Sequence, residues 1–174
     1  SPFHYAEQAL LYAPQQMPDP NSRDYLDAVV EAAWPAIRAA KGRSFVLCTS
    51  LRAMQFIHGR IAQRVEDEGL GFPMLLQGQG SRSELLARFR ALGNAVLVAS
   101  QSFWEGVDVP GDALSLVVID KLPFAPPDDP LLAARIAAMR EEGRNPFMEY
   151  QLPRAVINVK QGAGRLIRTE RDRG

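Results

Sequence analysis

Lysine and cysteine are both scarce in this sequence. Of twenty basic residues, only Lys41, Lys121 and Lys160 are lysines. None stands in the Gly-x-x-x-x-Gly-Lys-Ser/Thr setting that cradles nucleotide phosphates, and no Asp-Glu-x-x-His segment for Mg²⁺ is present. The chain therefore cannot build a complete nucleoside-triphosphatase site from its own residues. One cysteine, Cys48, excludes a disulfide framework and any cysteine-ligated metal cluster within this chain. It lies in an apolar run, which suits a small buried hydrophobe rather than a reactive thiol. His4 and His58 have neither triad nor ligand spacing, and no metal site is expected. No apolar run approaches the roughly 20 residues that span a bilayer. Ser1 to Tyr5 lack the basic and apolar regions of a secretory signal, so a cytoplasmic location without membrane contact is expected. Twenty acidic residues cancel the twenty basic ones, leaving no global positive field to recommend nucleic acid. An initiator Met is missing and the chain stops abruptly at Arg171 to Gly174, so a fragment of something longer is expected.

What is present reads as a single α/β domain. A length of 174 residues, 47% of them hydrophobic, suits one core of ordinary size. Ala9–Ala13, Phe45–Thr49, Ala95–Ala99 and Leu114–Ile119 are apolar runs with the habit of parallel strands covered on both faces, and Pro73–Leu76 is a shorter fifth. Helical spacing lies between them. Leu51, Met54, Ile57, Ile61 and Val65 recur at three and four, closed by Gly69. Ser81 and Glu84 form a capping box ahead of Leu85, Leu86, Phe89 and Leu92. Asp129 and Pro130 suit the cap and first turn of a helix carrying Leu132, Ile136 and Met139. Residues Ser22–Ala40 read as helix broken near Pro35. Alternating strand and helix predicts a doubly wound, mainly parallel sheet, with function on loops leaving the carboxyl ends of its strands.

Two constellations carry chemistry. In the last helix Gln161, Arg165 and Arg168 fall at i, i+4 and i+7, opposite an apolar stripe of Val156, Val159, Ala163 and Leu166. Two guanidinium groups on one ridge either flank an anion, for which polyphosphate fits the arginine fork, or form a solvated basic face near a helix C-terminus. The loop after Ala95–Ala99 holds Glu105, Gly106 and Asp108, two acids in a constrained turn. They either meet a hydroxyl, a metal-bound water or an arginine across a cleft, or belong to an ordinary polar turn. Phe103 and Trp104 beside them either stack on bases or pack in the core. Thr49 and Ser50 cap the following helix, with Arg52 in its first turn, and such a terminus can also hold a nucleic-acid phosphate.

Taken in order, these segments resemble the second RecA-like motor domain of superfamily 2 DNA helicases of the DinG/XPD type, in particular its bacterial DinG/YoaA branch. Phe45–Ser50 is similar to helicase motif IV, Gln101–Gly111 to motif V, and Gln161–Arg168 to motif VI, Gln-x-x-Gly-Arg-x-x-Arg. Lys121-Leu122-Pro123-Phe124 with Asp128-Asp129-Pro130 resembles the bacterial branch. The resemblance implies a RecA-like domain that ends shortly after motif VI. It implies that Arg165 and Arg168 reach the ATP γ-phosphate, with Arg168 the arginine finger and Gln161 positioning that group. Glu105, Gly106 and Asp108 would line the nucleotide side of the cleft, and Thr49, Ser50, Arg52, Gln101, Ser102 and Lys121 the single-stranded DNA. ATP and Mg²⁺ would be shared with a first motor domain, and a 4Fe-4S cluster would belong to the parent protein outside this chain. Expected partners are that first motor domain, single-stranded DNA and an accessory protein of replication or repair. The implied activity is ATP-dependent 5′-to-3′ translocation, with the isolated chain inactive. The rival is a non-catalytic α/β module that docks a protein partner.

Overall fold

The computed structural model describes residues 4–104, 107, 109, 111–126, 128–164, 166–167 and 169–174, without the side chains of Gln101 and Trp104. The short α1 (Tyr5–Gln8) and α2 (Tyr25–Ala39) precede β1 (Ser44–Cys48), α3 (Leu51–Asp67), β2 (Met74–Leu76) and α4 (Arg82–Leu92). Then come β3 (Val96–Ser100), β4 (Leu116–Ile119), α5 (Pro130–Glu141) and α6 (Leu152–Ala163). The four strands form one parallel sheet in the order β2-β3-β1-β4.

Strand alternation divides the core in two. Val46, Cys48, Val96 and Val98 face α2 and α3, whose Val30, Trp34, Ile37, Ile57 and Ile61 are buried against them. Phe45, Leu47, Leu97 and Ala99 face α4 and the segment after β3, meeting Leu85, Phe89, Phe103, Val107, Val109 and Leu114. The central strands are buried except at Ser100, the last residue of β3, as a two-sided parallel sheet requires.

Local signals fix the helix starts. The Ser81 hydroxyl accepts from the Glu84 amide and the Glu84 carboxylate accepts from the Ser81 amide, so the capping box forms in both directions. Asp129 accepts from the Leu131 and Leu132 amides with Pro130 in the first turn of α5.

Several expectations are corrected. Ala9–Ala13 is an exposed irregular segment, with Leu10 and Leu11 more than four-fifths accessible. Among the described residues its strand-like pairing is confined to Gly174, which donates to the Gln8 carbonyl and accepts from the Leu10 amide. Pro35 does not break α2. The carbonyl it deprives of a partner belongs to Glu31, and both residues lie on the solvent side, where water replaces the bond. β4 is half-buried rather than covered on both faces, because it is an edge strand. Finally, α6 ends at Ala163, ahead of Arg165 and Arg168, where Gly162 and Gly164 weaken the helix. Its buried line runs through Ala155 and Gly162, whereas Val156 is 40% exposed. Leu152 and Pro153 open α6 behind a π-helical turn at Phe147–Gln151.

Candidate functional site at the carboxyl edge of the sheet

The connections from adjacent strands β1 and β3 leave on opposite faces. α3 packs its Ala53, Met54 and Ile57 into the first core, while the segment after β3 sends Phe103, Val107 and Val109 into the second. Such a switch point opens a crevice beyond the strand ends, where doubly wound sheets bind ligands. In sheet order, the residues along this edge are Gln77, Ser100 and Ser102, Thr49 and Ser50, then Asp120 and Lys121.

Asp120 organises the β1–β4 side. It is 4% exposed. Its carboxylate accepts from the Thr49 amide at 3.1 Å, the Thr49 hydroxyl at 3.2 Å and the Lys121 amide at 2.8 Å. The Tyr25 hydroxyl donates to the Asp120 carbonyl at 2.5 Å. Burial pushes the carboxyl above the usual aspartate range, and the bonds from Thr49 and Lys121 pull back less than burial pushes. Burial, followed by the Asp120 charge, also raises the Tyr25 hydroxyl and the Cys48 thiol, so Cys48 is not a reactive thiolate.

On the β2–β3 side Gln77 plays the corresponding part. Its side-chain carbonyl accepts from the Ser100 amide at 2.7 Å and the Ser100 hydroxyl at 2.9 Å, and that hydroxyl lies 2.9 Å from the Ser102 hydroxyl. The turn at Gln101–Trp104 packs against both β3 and β1. Ser50 caps α3, its hydroxyl accepting from the Ala53 amide at 3.1 Å, and Arg52 projects from the first turn as an exposed residue.

The structure thus brings Thr49 and Lys121 together through Asp120, with Ser50, Arg52 and Ser102 accessible along the same edge. Gln161 is exposed in the last turn of α6, and no described hydrogen bond joins it to the Asp120 group. Arg165, Arg168, Glu105, Gly106 and Asp108 lie outside the described residues. Phe103 is 5% exposed in the second core, with the Arg82 guanidinium over its ring, so it is unavailable for base stacking. Asp120 and Gln77 are the residues organising this edge that spacing missed. Neither belongs to a patterned group: Gln77 meets Ser100 across the β2–β3 pair, and Asp120 meets Thr49 across β4 and the non-consecutive β1.

No group of three His, Cys, Asp or Glu converges on a metal site among the described residues. The Asp120 carboxylate is already occupied by Thr49 and Lys121, so the described residues do not fit Mg²⁺. A lone buried cysteine cannot ligate an iron–sulfur cluster. Among the described residues no helix is long and apolar enough to cross a membrane.

Asp120→Ala leaves two amides and a hydroxyl without their acceptor in a buried place, and should cost about 1–3 kcal/mol. Asp120→Asn keeps an acceptor and should cost less. Because the native carboxyl is raised above its unfolded value, its stabilising contribution is full below the unfolded pKa of about 3.9. That contribution is lost as pH rises through the folded value. Urea unfolding of wild type and Asp120→Asn between pH 4 and 7 checks both points. The wild type should lose stability relative to the variant as pH rises.

The four-stranded all-parallel sheet, flanked by helices, is of the RecA-like α/β class. The chain belongs to the helicase C-terminal domain family, whose profile matches residues 34–174. It is 50% identical over its full length to the ATP-dependent DNA helicase YoaA of Haemophilus influenzae and 49% identical to that of Escherichia coli K12. It is 41% identical to the ATP-dependent helicase DinG of Mycobacterium tuberculosis H37Ra. The chain spans about a quarter of the length of these relatives, 26%, 27% and 26% respectively.

Proposed function

We propose that this chain is the C-terminal motor domain of an ATP-dependent helicase that moves 5′ to 3′ along single-stranded DNA. The observation that carries the reading is the row of polar strand ends beside a β1–β3 crevice, in a chain matched to the helicase C-terminal family over residues 34–174. Arg165 and Arg168 reach across to a nucleotide held by the first motor domain. Their guanidinium groups stay charged at cellular pH and match phosphate oxygens, so they neutralise charge building on the γ-phosphoryl group. Gln161 helps position that group, and Glu105, Gly106 and Asp108 line the nucleotide side of the cleft. Thr49, Ser50, Arg52, Gln101, Ser102 and Lys121 grip the DNA backbone. Asp120 holds Thr49 and Lys121 in one geometry, so closure around nucleotide moves both contacts together. Metal ion and nucleotide cradle come from the first motor domain, in keeping with the missing phosphate-cradling lysine.

The chain by itself should therefore release no phosphate from ATP and bind single-stranded DNA weakly. That affinity should fall as salt is added, because backbone contacts release counterions. Phosphate release and fluorescence anisotropy on one purified sample check both. Turnover that survives repurification and depends on Arg168 overturns the shared-site reading. A chain that ignores DNA at every salt concentration, and whose full-length parent does so too, favours a protein-docking module.

A further inference from the structure

A cavity of about 620 Å³ lies beyond β4, between the loop that leaves that strand and the starts of α5 and α6. Its wall carries Arg135, Tyr150, Arg154 and Asn158. The guanidinium carbons of Arg135 and Arg154 sit 4.4 Å and 5.4 Å from the centroid of the same Tyr150 ring. Two cations on one ring repel, although each gains from the ring's negative face. Among the described residues neither arginine has a carboxylate partner. Three acids of the flanking segments have other partners, and one of them, Asp129, also lines the cavity. Glu149, next to Tyr150, is bonded to Arg144 at 2.7 Å, Glu142 pairs with Arg144 as well, and Asp129 caps α5. The Tyr150 hydroxyl has no hydrogen-bond partner among the described residues. Asn158 donates to the Pro123 carbonyl at 3.4 Å, which keeps its side-chain amide at the cavity wall. The π-helical turn at Phe147–Gln151 presents Tyr150, and such turns recur at functional sites.

We propose that Arg135, Arg154 and Tyr150 form a subsite for the phosphodiester backbone of single-stranded DNA. The charge on the two forks calls for an anion, and their separation, no greater than the sum of the two ring distances, suits neighbouring phosphates of one strand. Position decides for DNA over an acidic peptide. Sheet order runs from Ser100 and Ser102 through Thr49 and Ser50 to Asp120 and Lys121, and Pro123, on the cavity wall, follows Lys121 by two residues. The subsite extends that row by one step past the edge strand. This inference rests on the DNA-motor reading and adds a contact that the helicase motifs do not contain.

The test uses the full-length protein carrying this domain, a fluorescein-labelled oligothymidylate, and anisotropy titrations over a salt series. Arg135→Ala/Arg154→Ala should weaken binding at low salt by about tenfold or more. It should also flatten the plot of log affinity against log salt by about 0.7 for each phosphate released. Both side chains are exposed, so truncation spares the core. Arg135→Gln/Arg154→Gln, which keeps the stems and removes the charge, gives the same reading should the alanine pair fail to fold. An unchanged affinity and slope in a folded variant overturns the subsite and leaves this face to an acidic protein partner. A wild-type protein that does not bind the oligonucleotide overturns the motor reading itself, which keeps the two failures apart.

Discussion

Arg168→Ala, introduced into the protein that carries this domain, is expected to lower ATP turnover by about 10³–10⁵-fold, the range found for arginine fingers in nucleotide hydrolases. Arg165→Ala is expected to act in the same direction. Single-stranded DNA affinity should stay near wild type for both, because the proposed DNA contacts lie on the strand-end row and beside Tyr150. Local folding should survive as well. Leu166 packs against the second core and Ile167 is 5% exposed, so apolar residues anchor the segment on which the arginines stand. Arg171 is exposed and lies past the motif, which makes Arg171→Ala a control worth at most about 1 kcal/mol to stability. Steady-state ATPase rates and DNA titrations on the same preparations separate the outcomes. An Arg168→Ala protein that hydrolyses ATP normally but no longer binds DNA would show that this face holds nucleic-acid phosphate, and the cleft assignment would be wrong.

The stop of α6 at Ala163 differs from the longer last helix that spacing predicts. Spacing alone places Gln161, Arg165 and Arg168 on one helical ridge, but the helix ends after Gln161 with both arginines still to come. The glycines that give the motif its character also end the helix. Elsewhere the legible parts of the sequence were those decided within a few residues. The Ser81–Glu84 box, the Asp129-Pro130 start and the β-rich runs around Val46 and Val98 depend on near neighbours, and all form as read. What stayed hidden depends on strand order. Leu114–Ile119 and Ala95–Ala99 look alike as sequences, yet the first ends as a half-buried edge and the second as a buried central strand. Leu47 pairs with Ile119, which places Cys48 beside Asp120 and Thr49 beside Lys121 at the two strand ends. Nothing local marks Asp120 as the acceptor for Thr49, because the two are 71 residues apart. Ala9–Ala13 fails for the same reason, since an apolar run becomes a strand only where another strand lies beside it.

Gly42→Ala is expected to be among the most damaging single changes in the fold, at about 2–5 kcal/mol. Gly42 lies in the turn between α2 and β1, where Lys41, Gly42 and Arg43 all have positive φ, of 55°, 77° and 44°. A left-handed conformation costs an L-residue about 1–2 kcal/mol on its own. At Gly42 a second term adds to it. An alanine Cβ would stand 2.1 Å from the Asn94 carbonyl oxygen and 2.9 Å from the Asn94 carbonyl carbon, both backbone atoms that no rotamer change can move. Relief requires the turn before β1 or the entry to β3 to shift, an overpacking strain typically worth about 1–3 kcal/mol. The displacement would reach the site, because Ser44 opens β1 with its amide on the Ala95 carbonyl and Thr49 follows the other end of that strand. Gly93 supplies the control. Its φ of 74° is nearly the same, but nothing lies within 4 Å of where its Cβ would be, so Gly93→Ala should carry the left-handed cost alone. Urea unfolding of the two variants separates backbone strain from collision. Equal losses would mean that the close approach to Asn94 relaxes at no cost and that φ alone selects glycine at position 42. A much larger loss for Gly42→Ala, with weakened DNA binding under conditions where that variant stays folded, would show that this turn sets the register on which Thr49 and Ser50 are carried.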